Sequence, residues 1–171
     1  MKKLFAIILA CAALLGTLAC GGKSYDSLSI KSVSGFGESL LRGSKFDFTP
    51  EAIEDPTFAA ERIGLDASQL TTTDGKLDLY AAVSASAPEA VFVISAIDAA
   101  TAKSILEGPV SKWVADMKAG YSSYGPEQVP KLDSCVKMTA GHYVFLIVSS
   151  DNDAAKARLE TLLDTALRVS D

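Results

Sequence analysis

Histidine and cysteine are too scarce in this chain for most of the chemistry built from them. Among 171 residues there is one histidine, His142, and there are three cysteines, Cys11, Cys20 and Cys135. A transition-metal site takes three or four soft ligands, so the supply falls short, and no cofactor motif stands in for it. Basic residues are also few, 16 against 21 acidic ones. Lys2 and Lys3 lie in an N-terminal leader, which leaves 14 against 21 and a formal charge of −7 for the remainder. An acidic domain with no basic cluster is repelled by nucleic acid, which sets that class of partner aside. Past residue 20 no apolar run approaches the ~20 residues of a membrane-spanning helix. The positive mean hydropathy, +0.24, comes instead from the leader, many alanines and two apolar strands.

What is present begins with that leader. Met1-Lys2-Lys3 supplies a positive start and Leu4 to Leu15 an apolar core, the pattern of a signal peptide. Thr17-Leu18-Ala19-Cys20 follows and is similar to the lipobox of bacterial lipoproteins, in which the cysteine receives a diacylglycerol and becomes the mature N-terminus. The same residues satisfy the small-x-small rule of ordinary signal peptidase, which would leave Cys20 unmodified. The polar Gly-Gly-Lys-Ser tether favours acylation, and a residue bearing two or three chains anchors stably to a membrane. The expected division is a signal peptide over 1–19, a lipid-anchored tether over 20–33 and one domain over 34–171. Gly22-Lys23-Ser24 does not close a phosphate-binding loop, because Thr17 stands where that motif requires glycine. With Cys11 in the leader and Cys20 acylated, Cys135 is a free thiol, expected to pack as a small hydrophobe.

Residues 34–42 place Phe36, Leu40 and Leu41 on one helical face, weakened by Gly35 and Gly37. Thr49-Pro50-Glu51 reads as a helix start, with a capping hydroxyl and proline at the first position; Asp55-Pro56 opens a second short helix that stops at Gly64. From Lys76 the periodicity changes to two and predicts a half-exposed strand with Tyr80 outward. Residues 90–97 (AVFVISAI) are apolar on both faces and suit an interior strand. Asp98 caps one helix, kinked at Gly108-Pro109 and ended by Gly120, and 121–130 reads as a loop. Residues 134–139 and 142–149 form a hairpin around Ala140-Gly141, and Asp151 to Asp153 cap a last helix. The expected fold is α+β: short N-terminal helices, then β-β-α-β-β-α with a four-stranded antiparallel sheet in the order 1-2-4-3 and both helices on one face.

Ile63-Gly64-Leu65-Asp66, the paired strands, the long helix, Tyr124-Gly125-Pro126-Glu127-Gln128 and the run from Gly141 to Val148 together resemble an uncharacterised bacterial lipoprotein family, that of domain of unknown function 4358. The likeness spans about residues 35–165 and includes the leader. It implies a lipid-anchored extracytoplasmic domain and brings no activity, ligand or catalytic residue with it. Gly108-Pro109 departs from the family pattern.

Candidate chemistry is thin. His142 shares its strand with Ser149, Ser150 and Asp151, but the strand carries them beyond hydrogen-bond reach, so no hydrolase triad is expected. Asp151 and Asp153 could open a calcium loop, yet Ala-Ala-Lys-Ala follows in helical register, and capping explains them better. Trp113 shares a helical face with Pro109 and Met117 and is assigned to the core. Tyr121 and Tyr124, joined by Tyr80, form the candidate binding surface, a platform for glycan or apolar peptide. The leading functional expectation is a non-enzymatic binding or interaction module of the cell envelope. A hydrolase whose residues converge only in three dimensions and a structural accessory subunit of a membrane complex are the alternatives.

Overall fold

The computed structural model describes residues 24–170, so the leader and the expected lipidation site Cys20 lie outside the described residues. Helix α1 (Val33–Gly43) starts at Ser32, whose Oγ accepts from the Gly35 amide. Strand β1 is only Glu51–Ala52, and α2 (Pro56–Ile63) is capped by Asp55 and ends at Gly64 with φ +78°. A 3₁₀ turn over Ala67–Gln69 leads into a small ribbon, β2 (Thr72–Thr73) and β3 (Lys76–Leu77). Its turn residues Asp74 and Gly75 both have positive φ, 53° and 77°, as the mirror-image hairpin turn demands. Strands β4 (Leu79–Val83) and β5 (Ala90–Ser95) come next.

One continuous helical rod follows: α3 (Ala99–Ile105), a widened π turn over Leu106–Val110, and α4 (Ser111–Tyr124). Proline has no amide proton and crowds the preceding turn, and widening the helix around Pro109 absorbs both defects. The Ser111 hydroxyl then donates to the Leu106 carbonyl at 2.7 Å. Gly120 does not stop this rod, which runs one turn further, so Tyr121 and Tyr124 are helical rather than in a loop. A 3₁₀ turn (Pro126–Gln128), α5 (Val129–Asp133), the hairpin β6 (Val136–Ala140) and β7 (Tyr143–Val148), and α6 (Asn152–Ser170) complete the chain.

The principal sheet has five strands, β1-β4-β5-β7-β6, all neighbours antiparallel, where four in the order 1-2-4-3 were expected. The added strand is the stretch whose Thr-Pro-Glu pattern suggested a helix start. Pro50 instead precedes an edge strand, another place where a missing amide proton is tolerated.

The helices do not share one face. Phe92, Ile94, Val144 and Leu146 pack with α2, α3 and α4, while Val91, Val93, Phe145 and Ile147 pack with α1 and α6 on the other side. Strands that are apolar on both sides need cover on both faces, and every residue of β5 and β7 is buried. Tyr80 is accordingly inside, 6% exposed, because β1 takes the sheet edge and α1 lies over the ring. Gly37 permits that approach: a Cβ there would stand 2.2 Å from the Tyr80 ring. Trp113 packs edge-on to Phe92, 5.0 Å between ring centres, in the core position expected of it.

Residues 24–32, within the stretch expected as a tether, form a strap against the domain. Leu28 is 3% exposed, and the Ile30 amide donates to Tyr143 Oη at 3.0 Å. The strap's Tyr25 carbonyl would lie 2.8 Å from any Cβ at position 141, which is Gly141, with φ +56° in the β6–β7 turn.

Candidate functional site

The sheet's hydrogen-bond ladder gathers polar residues at one end. The Ser95 amide donates to the Asp78 carbonyl, the Thr71 amide to the Ser95 carbonyl and the Asp78 amide to the Thr71 carbonyl, each at 2.9 Å. Ser95 is also in register with Tyr143 on β7. Asp78, just ahead of β4, Ser95 on β5 and Tyr143 on β7 therefore stand in one row, and residues opposite one another in an antiparallel sheet share a face.

The side chains of Ser95, Thr71 and Asp78 form a directed chain of hydrogen bonds. Thr71 Oγ1 lies 2.8 Å from Asp78 Oδ2 and 2.8 Å from Ser95 Oγ. One hydroxyl carries one proton, so Thr71 donates to the charged acceptor and receives from Ser95. The Thr73 hydroxyl, held by the Asp74-Gly75 turn, donates to the same Oδ2 at 3.1 Å. Asp78 Oδ1 accepts from no other described residue.

Around this row opens a cleft of about 580 Å³. The strap from Ser29 and the first turn of α1 make one wall, Ile53, Glu54 and Pro56 another, and Lys76, Leu77 and His142 complete the rim. Among the described residues neither Lys31 nor Lys76 has an ion-pair partner. A concavity of this size with a few convergent polar groups suits a small ligand.

His142 lies on the rim, its ring against that of Tyr143 with 4.1 Å between centres. Burial lowers its pKa, which keeps the imidazole neutral near pH 7. Among the described residues no hydrogen bond joins the ring to a serine or a carboxylate. Ser149, Ser150 and Asp151 lie beyond the far end of β7, roughly 20 Å away at ~3.3 Å per residue. Asp151 caps α6 through the Ala154 amide at 3.1 Å and pairs with Lys45 at 3.3 Å. The backbone hydrogen bond, then Lys45, holds its carboxyl below the usual range. Cys135 is a half-buried free thiol with its pKa raised by burial. No group of three metal-binding side chains occurs among the described residues.

Of the candidate tyrosines, Tyr121 and Tyr124 are brought together and Tyr80 is not. Tyr80 packs in the layer with α1 and α6, whereas Tyr121 is 7% exposed in the opposite layer. Tyr124 rests on Tyr121, 4.9 Å between ring centres, and alone of the three is open to solvent, at 72%.

The opposite end of the sheet carries a second polar cluster. Glu89 is fully buried; its carboxylate accepts from the amides of Asp47 and Phe48 at 3.0 and 2.7 Å and from Lys131 Nζ at 2.9 Å. Lys131 also reaches Asp47 at 2.6 Å. Burial works against its charge, but the bonds and charges of Asp47 and Glu89 outweigh it and raise the lysine pKa. Nearby, Asn152 accepts from the Ser149 amide at 2.9 Å and donates to the Lys131 carbonyl and Ser134 Oγ at 2.8 and 3.0 Å.

Thr71, Asp78, Ser95 and Glu89 were not singled out by sequence. The Asp-Gly turn and the hydroxyl interrupting an otherwise apolar strand are the only signals that point toward the first three. Comparison with known proteins adds no further constraint: no family model, no curated protein and no solved structure matches the chain.

Proposed function

We propose that this chain is a binding module of the bacterial cell envelope, held to the extracytoplasmic face of a membrane through lipid on Cys20, and that it receives a small polar ligand in the strand-end cleft. The observation carrying the second half is the Asp78 carboxylate, oriented by Thr71 and Thr73 through Oδ2 and lining a cleft of about 580 Å³, with no described residue donating to Oδ1. The first half rests on the leader and on the likeness to an uncharacterised lipoprotein family. Binding is favoured over hydrolysis because the single histidine has no serine or carboxylate partner among the described residues.

Two measurements test the reading. Intact mass of the chain recovered from native membranes should correspond to a product starting at an acylated Cys20; retained leader or an unmodified thiol defeats the anchoring. Affinity purification with the anchor in place should recover a small molecule that is lost from Asp78→Ala. Equal recovery from the variant would move the binding site elsewhere.

A further inference from the structure

We infer that the cleft takes a compact zwitterion, a free amino acid or a short peptide with its N-terminus unblocked, and that Asp78 receives the ammonium group. The inference rests on the binding reading above and names the ligand class of that same site.

The carboxylate is prepared for a cation in three respects. Both threonine hydroxyls converge on Oδ2 and Ser95 backs Thr71, so every proton in the chain points toward Asp78. Such donation fixes the side-chain rotamer. Oδ1 retains its acceptor capacity, and an ionised carboxylate accommodates about four hydrogen bonds. No lysine, arginine or histidine nitrogen lies within 4.0 Å of it among the described residues, so the charge has no resident partner. An ammonium supplies three donors on a compact charge and suits such an acceptor.

The rest of the cleft argues for an acid at the ligand's other end. Lys31 and Lys76 stand on its walls without ion-pair partners among the described residues, and Ser32 and Val33 present the first turn of α1 there. Carboxylates are favoured beside lysines and helix N-termini alike. A neutral saccharide fits less well: Tyr143 is buried and its hydroxyl already receives the Ile30 amide, which leaves no broad aromatic face for a sugar ring. A purely anionic ligand would meet Asp78 and Glu54 unneutralised.

The test is calorimetric titration of the full chain, in detergent, with L-alanine and L-alanyl-L-alanine, their N-acetyl derivatives and methyl esters, and glucose. The free amines should bind, and N-acetylation should weaken binding at least ~10-fold, the loss of one charge-assisted contact. Asp78→Asn should bind amine and acetylated forms equally weakly while unfolding at the wild-type temperature. A Lys31→Gln/Lys76→Gln variant should no longer distinguish acid from ester. If acetylated forms or glucose bind as well as the free amines, the zwitterion inference fails and the cleft survives as a binding site. If no probe of any class binds, both fall together.

Discussion

The two ends of one sheet solve the problem of polar residues in opposite ways. At the end where β5 begins and β7 finishes, Glu89, Lys131 and Asn152 satisfy one another and the surrounding amides until little capacity remains. At the other end, Asp78, Thr71 and Ser95 are equally well ordered but leave a carboxylate oxygen, two lysines and a histidine facing a cavity. The first arrangement fastens the 44–49 segment and α5 to the core. The second keeps acceptor capacity and charge facing the cleft, which is what the binding proposal rests on. Saturation, more than polarity or burial, separates a structural cluster from a site.

The largest effect should come from breaking the closed end. Glu89→Ala leaves two backbone amides without their acceptor and the Lys131 ammonium with Asp47 alone, and each buried donor left unsatisfied typically costs about 1–3 kcal/mol. Chemical denaturation should show that loss, with the affinity of the cleft unaltered. A loss below about 1 kcal/mol would mean that water replaces the carboxylate and that the two ends are not so different. Asp78→Ala should behave inversely: stability falls by only about 1 kcal/mol, since solvent reaches the freed hydroxyls, while ligand recovery disappears.

The smallest effect concerns pH and the open end alone. Burial lowers the His142 pKa, so the fold favours the neutral ring. The corresponding stability is present above the ordinary histidine value and is lost as pH falls through it toward the lowered folded value. His142→Gln should flatten that decline between roughly pH 7 and 5, relative to wild type. The Lys131 ion pairs titrate elsewhere: their stabilisation is complete below the ordinary lysine pKa and is lost only as pH rises through the raised one. A wild-type decline that survives in His142→Gln would place the acid-sensitive group outside the rim.

The contrast was only partly legible in the sequence. Continuous apolar runs marked β5 and β7 as interior, yet the second layer they require was not assigned to the helices available, α1 and α6. The two-residue β1 has no periodicity of its own and exists through pairing with Ala82 and Val83, some 30 residues away, so Pro50 was read for its local helix signal. Tyr80 looked outward because alternation places a side chain on a face without saying what covers that face. The cleft was harder still. Its floor and walls come from the strap, the approach to α2, the ribbon, the end of β5 and the β6–β7 turn, and each contributes residues ordinary in isolation. Glu89 beside Pro88 reads as a solvated turn residue; only the returning 44–49 segment and α5 bury it.

The strap has a practical side. A shortened chain begun at Ser34, where composition alone would set the domain limit, discards the Ser32 cap of the first helix, the buried Leu28 side chain and the Ile30 amide that holds Tyr143. Such a fragment would lose one wall of the cleft together with its own seal, so failure to capture a ligand would report the trimming and not the protein.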